Sequence, residues 1–399
     1  MAERAPATAG QAARHLAARS LTREELIGRA EELLPVLAER APRTEELRRI
    51  PDETVRDLVD AGLIRVANPE RYGGYGLDVD TMFEVGWRLA QACGSTGWFY
   101  TVTQVHNWQM GTAPEAAQEE YFASPDVIAS SAFAPTGDVQ TVDGGWRISG
   151  RWPFSSGVDH AAWVLLGGAD EVRGQFLMLV PRAEVTILDD WFASGLKGTG
   201  SKSVVIEDPV FVPAYRALNM SNASQEHWRD HHRRGSYGVP LLSIVSFCLA
   251  TPVVGIGQGA VAEFTNHTRS RMSLRRQAAD APGSHFRIAE SAAESDAAVT
   301  ILRADLREQV TRGARGDAFS DLDRARYRRN HAYVTRLSVA AVNRLFDAAG
   351  AHALLDPNPL ARMHRDVNAG AHQMALVWDD NAELYGRVRL GVEPSPAFW

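Results

Sequence analysis

The chain has 399 residues, of which 45% are hydrophobic and 23% are charged, a composition typical of globular proteins that excludes a disordered or fibrous chain. At about 150 residues per domain, this length predicts two to three domains. The 42 Lys and Arg residues against 49 Asp and Glu residues give a net charge of −7, so no nucleic-acid partner is expected.

Cysteine usage and the N-terminus bear on location. Cys93 and Cys248 are too far apart for a CxxC redox pair or a zinc framework, so we expect no metal site and a reducing, cytoplasmic compartment. Residues 1–20 are rich in Ala and Arg but lack the apolar core of a secretory signal, which predicts a disordered tail. No run approaches the roughly 18 apolar residues of a membrane span, and no membrane partner is expected.

The next part, residues 21–127, is predicted to be a helical domain. Thr22 and Glu25 form the T-x-x-E pattern of a capping box, in which each side chain satisfies a free backbone N–H. Pro51 predicts the start of a second helix, and a third helix is predicted over residues 81–93.

Beyond these helices the pattern changes to short β-type runs separated by Gly, Pro and Asp. Examples are VIASSAF, GGWRISGRWPF, AAWVLLGG, GQFLMLV and SVVIEDPVFV. Such runs with frequent turn signals predict a middle β-domain over residues 128–219, built as a small antiparallel barrel or sandwich.

The last part is predicted to be helical again. Residues 220–239 are polar and rich in Gly, Ser, His and Arg, which is typical of a mobile linker. Residues 240–399 are predicted to form a helical bundle, and Ser320 with Asp323 is a start signal for one of its helices. The long Ala- and Leu-rich helices are predicted over 240–275, 285–313, 320–350 and 366–388.

Two short motifs in this part resemble binding sites but lack the context that such sites need. Gly255, Gly257 and Ala260 spell G-x-G-x-x-A, yet no strand, turn and helix surround them, so a helix packed through small residues is favoured over dinucleotide binding. His227 and His231 have the spacing of a metal pair, but no third ligand is evident, and a mobile loop near a site entrance is favoured.

The order of helices, strands and helices along the chain is uncommon. Three segments of the chain are also similar to those of a known family. These are GGWRISGRWPFSSGVDHAAWVLLG at 144–167, GLKGTGSKSVVIEDPVFVP at 195–213 and RSRMS at 269–273. Together they resemble the acyl-CoA dehydrogenase fold over nearly all of the chain beyond the N-terminal tail. The resemblance implies an α+β fold with an N-terminal helical domain, a middle antiparallel β-domain and a C-terminal four-helix bundle.

The base that an acyl-CoA dehydrogenase commonly uses is not found at its usual place. That base is a Glu lying eight residues after the Asp of an R-D segment. Here the segment is Arg365-Asp366, and the eighth position holds Met374, whose thioether cannot accept a proton. Since some members place the base elsewhere, an acyl-CoA dehydrogenase or oxidase stays an alternative hypothesis.

The sequence around five other residues resembles the two-component flavin monooxygenases built on this fold. These enzymes include 4-hydroxyphenylacetate 3-hydroxylase and related phenol and indole hydroxylases. The five residues are Trp98 and His106 in GSTGWFYTVTQVHNW, Ser131 in IASSAF, Ser156 in WPFSSG, and His372. The resemblance implies an oxygenase component whose reduced flavin, FADH2 or FMNH2, comes from a separate NAD(P)H:flavin reductase. Alone with NADH the chain should therefore be inert. With O2 a C4a-hydroperoxyflavin would form and hydroxylate a small aromatic substrate, and the resemblance also implies a homotetramer.

The same resemblance implies roles on the flavin side. Ser156 would contact the flavin N5 edge, with Ser155 as the neighbour that could take its place, because an uncharged hydroxyl can donate or accept. His372 would stabilise the developing peroxide. The implied cofactor-binding residues are Ser131, Phe133, Phe154, Ser155, Ser156, Arg269 and His372.

On the substrate side, His106 would accept a phenol proton or hydrogen-bond an indole N–H. Trp98 and Ser131 would complete that side, and the adjacent Ser130 fits the same segment. Oxygenation of nitrogen or sulfur by the same flavin chemistry is a further alternative.

The two lysines of the chain form a separate small pattern. Lys197 and Lys202 both lie in GLKGTGSKS, where a surface hairpin is favoured over a phosphate-side or entrance role.

Overall fold

The computed structural model describes residues 20–219, 235–273, 276–355 and 358–393. The predicted tail other than Ser20, and residues 220–234 of the predicted linker with its two spaced histidines, lie outside the described residues. The end of that predicted linker differs from the prediction. Gly235–Gly238 form a 3-10 turn with Ser236 and Tyr237 fully buried, because the Trp108 indole donates to Ser236 Oγ at 3.0 Å and stacks on Tyr237.

The first part of the chain is helical, as predicted. Its capping box is present, since Thr22 Oγ1 accepts from the Glu25 N–H at 3.2 Å and Glu25 Oε2 accepts from the Thr22 N–H at 2.8 Å. The helices are α1 (Arg23–Leu47), α2 (Asp52–Asp60), α3 (Val79–Ala92), α4 (Gly94–Met110) and α5 (Glu115–Tyr121).

The middle part consists of two sheets packed face to face. The strands are β1 (Ala129–Ala132), β2 (Asp138–Val142), β3 (Gly145–Ser155), β4 (Trp163–Asp170), β5 (Gly174–Pro181), β6 (Thr186–Ile187), β7 (Lys202–Pro213) and β8 (Ala217–Asn219). One sheet has the order β1-β4-β5-β8 and the other β2-β3-β7-β6. Their inner faces share one core that includes Trp146, Trp152, Phe176 and Met178, so the sandwich is formed rather than the barrel.

One pairing departs from the antiparallel prediction. Strand β1 runs parallel to β4, because the chain leaves β1 for the β2–β3 hairpin of the other sheet before it returns as β4. A parallel pair requires such a crossover, whereas a tight hairpin would have given an antiparallel pair. The crossover brings the end of β3 beside β1.

The C-terminal part is a helical bundle with a small hairpin. The Ser320 cap is present as predicted, with Ser320 Oγ accepting from the Asp323 N–H at 3.2 Å. The elements are α6 (Leu241–Ser270), β9 (Met272–Ser273), β10 (Arg276–Gln277), α7 (Pro282–Arg315), α8 (Asp321–Ala349), α9 (Pro359–Ala371) and α10 (Trp378–Arg389).

The helix predicted over 366–388 is two helices rather than one. Helix α9 ends at Ala371, and the Gln373 side chain then accepts the Ala375 N–H at 2.6 Å, which starts the 3-10 turn Met374–Leu376. This local cap competes with helix continuation. The break places His372 at a helix end instead of in a helix middle.

Helix α6 is the most apolar helix of the bundle. By length and composition its segment Leu241–Arg269 would be able to cross a membrane, but 83% of its apolar window is buried within the protein. The G-x-G-x-x-A motif lies inside this helix, where a side chain at Gly255 would collide with α3. As predicted, the small residues serve close helix packing.

Candidate functional site

Helix α4 carries two of the expected site residues and is buried along its whole length. Trp98 and His106 lie two turns apart on it, which corresponds to about 12 Å along the axis. Trp98 reaches the end of β3, while His106 reaches β1. One helix therefore holds both ends of the candidate site.

The His106 imidazole is hydrogen-bonded at both nitrogens. Nδ1 lies 3.0 Å from the Ala129 carbonyl oxygen, and Nε2 lies 2.8 Å from Ser131 Oγ. Burial lowers the pKa of His106 from 6.5 to about 4, so the ring is neutral at pH 7. Because a carbonyl only accepts, Nδ1 carries the proton, and Ser131 must donate its hydroxyl proton to Nε2. The Ser131 oxygen is left as an acceptor.

Strand alternation separates Ser131 from its neighbour. Successive side chains of β1 point to opposite faces, and Ser130 is fully buried with its hydroxyl 2.6 Å from Ser155 Oγ. Ser131 is half-buried on the His106 side. The Phe133 ring also lies on this side, 6.4 Å from the His106 ring between centroids.

The residues expected on the flavin side meet where β3 ends. The Trp98 indole Nε1–H donates to Ser156 Oγ at 3.3 Å, and Ser156 Oγ lies 2.7 Å from Ser201 Oγ. Ser156 is partly exposed, whereas Ser155 is fully buried. Of the two serines in the WPFSSG motif, Ser156 is therefore the accessible one.

An exposed aromatic surface lies beside this point. The Phe154 side chain is 69% exposed although its backbone has the left-handed value φ 66°, which costs energy for a residue with a Cβ. Its ring meets the Trp191 ring edge to face at 6.2 Å, and the adjacent Phe192 is 74% exposed. A planar ligand can stack on such rings.

His372 is exposed at the C-terminal end of α9. Its Nδ1–H donates to the Asn368 carbonyl at 2.7 Å, which leaves Nε2 pointing away from the helix backbone. Two residues earlier, a Cβ placed on Gly370 would lie 3.6 Å from Trp98 Cζ3. His372 is thus close in sequence to the point where α9 packs against Trp98, but it forms no hydrogen bond with Ser156 among the described contacts.

Two other expectations concern cations. Arg269 is exposed in the last turn of α6 and donates to Asn266 Oδ1 at 3.3 Å, so it lies apart from the residues above. Lys202 Nζ lies 2.9 Å from Asp159 Oδ1, and Lys197 Nζ lies 3.7 Å from Glu45 Oε1. The turn between the lysines is buried, so the favoured surface hairpin is wrong, because the turn packs under α1 and α4.

The sequence interpretation missed residues in that buried turn. Ser201 contacts Ser156, and Thr199 contacts Ser201 at 2.7 Å. Asp366, first considered only as a marker for an absent base, accepts the Leu196 N–H at 2.6 Å. The glycines around small polar residues in GLKGTGSKS were the signal that could have indicated a packed polar turn.

The donor set suits a flavin. A half-buried hydroxyl acceptor at Ser156 suits the N–H edge of a reduced ring system, and the exposed rings of Phe154 and Phe192 suit its planar faces. The exposed guanidinium of Arg269 lies apart from these residues, and it would suit an anionic group such as a phosphate. The residues present therefore fit the cofactor that the sequence resemblance implies.

Comparisons with known proteins show which family the chain belongs to. Residues 18–125 match the acyl-CoA dehydrogenase N-terminal domain, and residues 247–377 match the C-terminal domain. The chain is 36% identical over 382 residues to the flavin-dependent monooxygenase oxygenase subunit HsaA of Mycobacterium tuberculosis, covering 93% of this chain and 96% of that protein.

Two further comparisons extend the match. The FADH2-dependent resorcinol hydroxylase oxygenase component of Rhizobium sp. is 33% identical, covering 92% of this chain and 95% of that protein. The crystal structure of 3-HSA hydroxylase from Rhodococcus sp. RHA1 superposes with a TM-score of 0.88 at 35% identity, covering 94% of this chain and 99% of that one. The chain belongs to the acyl-CoA dehydrogenase family and, within it, to the oxygenase components of the flavin-dependent monooxygenases.

Proposed function

We propose that this chain uses reduced flavin and O2 to hydroxylate an aromatic ring that carries a hydroxyl group. The observation that carries the proposal is the arrangement on α4, where Trp98 contacts the Ser156 hydroxyl and His106 contacts the Ser131 hydroxyl. One end offers a hydroxyl to the flavin, and the other end offers a hydroxyl to the substrate. The names of the relatives, a resorcinol hydroxylase among them, support a phenolic substrate.

On the substrate side, Ser131 and His106 act as a pair. A phenol hydroxyl donates to Ser131 Oγ, whose own proton already points to His106 Nε2. This chain of two hydrogen bonds draws the phenolic proton away from the ring and raises electron density at the ring carbons ortho to the hydroxyl. With a pKa of about 4, His106 polarises the phenol rather than holding a full positive charge at neutral pH.

On the flavin side, Ser156 would hold the polar edge of the flavin with the Trp98 N–H donating to it from behind, and the exposed Phe154 ring would offer a stacking surface. Bound reduced flavin supplies the electrons that activate O2. The protein around α4 shields both side chains from solvent, since Trp98 is only 7% exposed and His106 1% exposed. His372, exposed at the end of α9, is proposed to contribute a hydrogen bond to the oxygen that is being transferred.

A separate NAD(P)H:flavin reductase is the proposed electron source. The one dinucleotide-like motif within the described residues lies inside α6 and packs against α3, so it does not form a nicotinamide site. We also propose a homotetramer, in which Arg269 of one subunit reaches the flavin phosphate of a neighbouring subunit.

The test supplies chemically reduced FAD or FMN with ¹⁸O2 and a panel of phenols and indoles. The expected product is a phenol that has gained one ring hydroxyl containing one ¹⁸O atom, whereas NADH with oxidised flavin and no reductase should give no product. If every phenol is recovered unchanged while reduced flavin is consumed, the proposal is wrong.

The same assay separates the alternatives. A thioether and an amine in the panel test for sulfur or nitrogen oxygenation. A fatty acyl-CoA tests for dehydrogenase chemistry, which would bleach tightly bound oxidised FAD without consuming O2. Met374, 70% exposed at the usual position of the dehydrogenase base, argues against that last outcome.

A further inference from the structure

A line of hydroxyl groups runs from the proposed flavin edge into the protein. The Trp98 indole contacts Ser156 Oγ at 3.3 Å, and Ser156 Oγ contacts Ser201 Oγ at 2.7 Å. Ser201 Oγ contacts Thr199 Oγ1 at 2.7 Å, and Thr199 Oγ1 contacts the Leu196 carbonyl oxygen at 2.8 Å. Thr199 and Ser201 are buried, so water does not compete for these bonds.

The direction of every proton in this line follows from its two ends. The Leu196 carbonyl only accepts, so Thr199 donates to it and has no second hydroxyl proton to give. Thr199 must then accept from Ser201, and Ser201 must accept from Ser156. At the other end the Trp98 N–H only donates. Ser156 therefore accepts from Trp98, gives its own proton to Ser201, and keeps only a lone pair for a ligand.

The inner end of the line is held rigidly. Leu196 has the left-handed value φ 50° although it is not a glycine, and its N–H donates to the buried carboxylate of Asp366 at 2.6 Å. The next turn packs closely, since a side chain at Gly198 would collide with Thr44 and Ser95. The carbonyl that ends the line is thus fixed by α9, α1 and α4 together.

We propose that Ser201 and Thr199 are positioning residues that hold the Ser156 hydroxyl as a hydrogen-bond acceptor, so that the site selects reduced flavin over oxidised flavin. Reduced flavin carries a proton on N5 and donates there, whereas oxidised flavin has a lone pair at N5. The lone pair of oxidised flavin would face the lone pair of Ser156 without a proton between them. The inference rests on the proposed function, in which Ser156 faces the N5 edge.

The experiment compares the Kd values of oxidised and dithionite-reduced FAD, measured anaerobically by equilibrium ultrafiltration. In the wild-type protein, reduced FAD should bind more tightly. Ser201→Ala and the isosteric Thr199→Val remove the hydrogen bonds that fix the direction of the Ser156 proton. The Kd of oxidised FAD divided by the Kd of reduced FAD should therefore fall by about fivefold, which corresponds to one neutral hydrogen bond. Thr199→Ser keeps the hydroxyl and should retain the wild-type ratio.

Thr335→Val is the matched control. Thr335 is also a buried threonine that donates to a backbone carbonyl, that of His331 at 2.9 Å, but it lies in α8 outside the line of hydroxyls. It should lose a similar amount of stability and keep the wild-type ratio of Kd values. Unchanged ratios of Kd values in folded Ser201→Ala and Thr199→Val would overturn this inference but not the proposed function. A wild-type protein that binds neither reduced FAD nor reduced FMN would instead overturn the proposed function.

Discussion

The His106 imidazole has a fixed tautomer because its two partners differ in kind. The Ala129 carbonyl can only accept, while the Ser131 hydroxyl can donate. We therefore propose that Ser131 and His106 act on a substrate as one unit, in which the Ser131 oxygen contacts the substrate and the His106 imidazole accepts the Ser131 proton.

The first prediction tests this unit. In the His106→Ala variant, hydroxylation of the best phenol should fall by about 100-fold, the usual size of a lost proton-transfer partner. The Kd of reduced FAD should change by less than about twofold, since His106 lies two turns from Trp98 on α4. Product yield by liquid chromatography and flavin binding by ultrafiltration measure the two effects.

A double-mutant cycle with Ser131→Ala provides the control. If both residues act through one hydrogen-bonded pair, the double variant should be about as slow as the slower single variant. Effects that multiply would show that Ser131 and His106 act independently. A His106→Ala protein with normal hydroxylation would remove the substrate-side assignment while leaving the flavin side intact.

The Phe154 side chain is exposed and its backbone is left-handed. Both features reduce the stability of the folded protein, and no packing of the Phe154 ring in the core offsets them. The second prediction concerns Phe154→Asn, because Asn tolerates the left-handed region better than Phe. The free energy of unfolding without flavin should rise by about 1 kcal/mol, while the Kd of reduced flavin should increase. Chemical denaturation and flavin ultrafiltration measure these changes.

Phe286→Asn is the matched control for this prediction. Phe286 is 66% exposed but lies in the regular helix α7, where Asn is a poorer helix former. This variant should lose a few tenths of a kcal/mol and bind flavin normally. If Phe154→Asn also loses stability and binds flavin normally, the strained ring has no role in the site.

At this scale the sequence pointed to segments that the structure brings together along α4, and the site roles themselves stay predictions. Trp98 and His106 were chosen by resemblance, whereas Ser130 and Ser155 stayed open as substitutes for Ser131 and Ser156. Strand alternation and a β-bulge decide which serine points inward, and a bulge depends on the neighbouring strand. The left-handed Leu196 could not be predicted, because no glycine marks it.

At the scale of elements, the turn after residue 195 is joined to α9 by a buried carboxylate. Burial raises the pKa of Asp366 from 3.8 to about 6, against the backbone hydrogen bond from Leu196 and the charge of Arg362, which lower it. Glu45 raises this pKa and Arg365 lowers it. The folded protein therefore binds this proton more readily than the unfolded chain does between about pH 4 and pH 6.

The third prediction follows from this shift. Because the folded-state pKa of Asp366 is raised, the stability that it contributes is greatest below pH 4, falls as the pH rises to 6, and is constant above that. Asp366→Asn keeps an oxygen for the Leu196 N–H but cannot ionise. The stability of the variant relative to the wild type should therefore increase from pH 4 to pH 6.5, by up to about 3 kcal/mol, as measured by urea denaturation.

Comparison with a second buried carboxyl keeps this prediction specific. Asp305 also has its pKa raised to about 6, but its partner is Asn330 on α8. Asp305→Asn should show a similar pH trend without changing amide hydrogen exchange in residues 196–201, whereas Asp366→Asn should alter exchange there. A flat difference between Asp366→Asn and wild type across this pH range would contradict the assignment.

Helix boundaries show which elements could be predicted. The caps at Thr22 and Ser320 are local signals and were found. The break after Ala371 was missed because Gln373, which caps the turn, is an ordinary helix former in sequence. The parallel pairing of β1 depends on which sheet the next hairpin joins, and that choice is made by the shared core of the sandwich rather than by any local pattern.

At the scale of the whole molecule, the proposed site is divided. The hydroxyl groups proposed for the substrate side and the flavin side lie beside α4, whereas Arg269 is exposed in the last turn of α6, where it donates a hydrogen bond to Asn266 Oδ1. If Arg269 serves the flavin of a neighbouring subunit, the function requires the assembly, and the 43.7 kDa chain should behave as a tetramer in light scattering.

The fourth prediction tests shared sites by mixing subunits. Ser156→Ala and Arg269→Ala should each bind reduced flavin weakly as pure assemblies. In a randomly mixed assembly, some sites combine the intact Ser156 of one subunit with the intact Arg269 of its neighbour, and about a quarter of all sites should recover. Co-expression with two different affinity tags, followed by flavin titration and hydroxylation assays, measures this fraction.

Mixing the purified homo-oligomers without subunit exchange is the control and should recover no flavin binding or hydroxylation. Co-expressed protein that stays as inactive as its parents would mean that each flavin is held within a single subunit, and it would remove Arg269 from the neighbour's site.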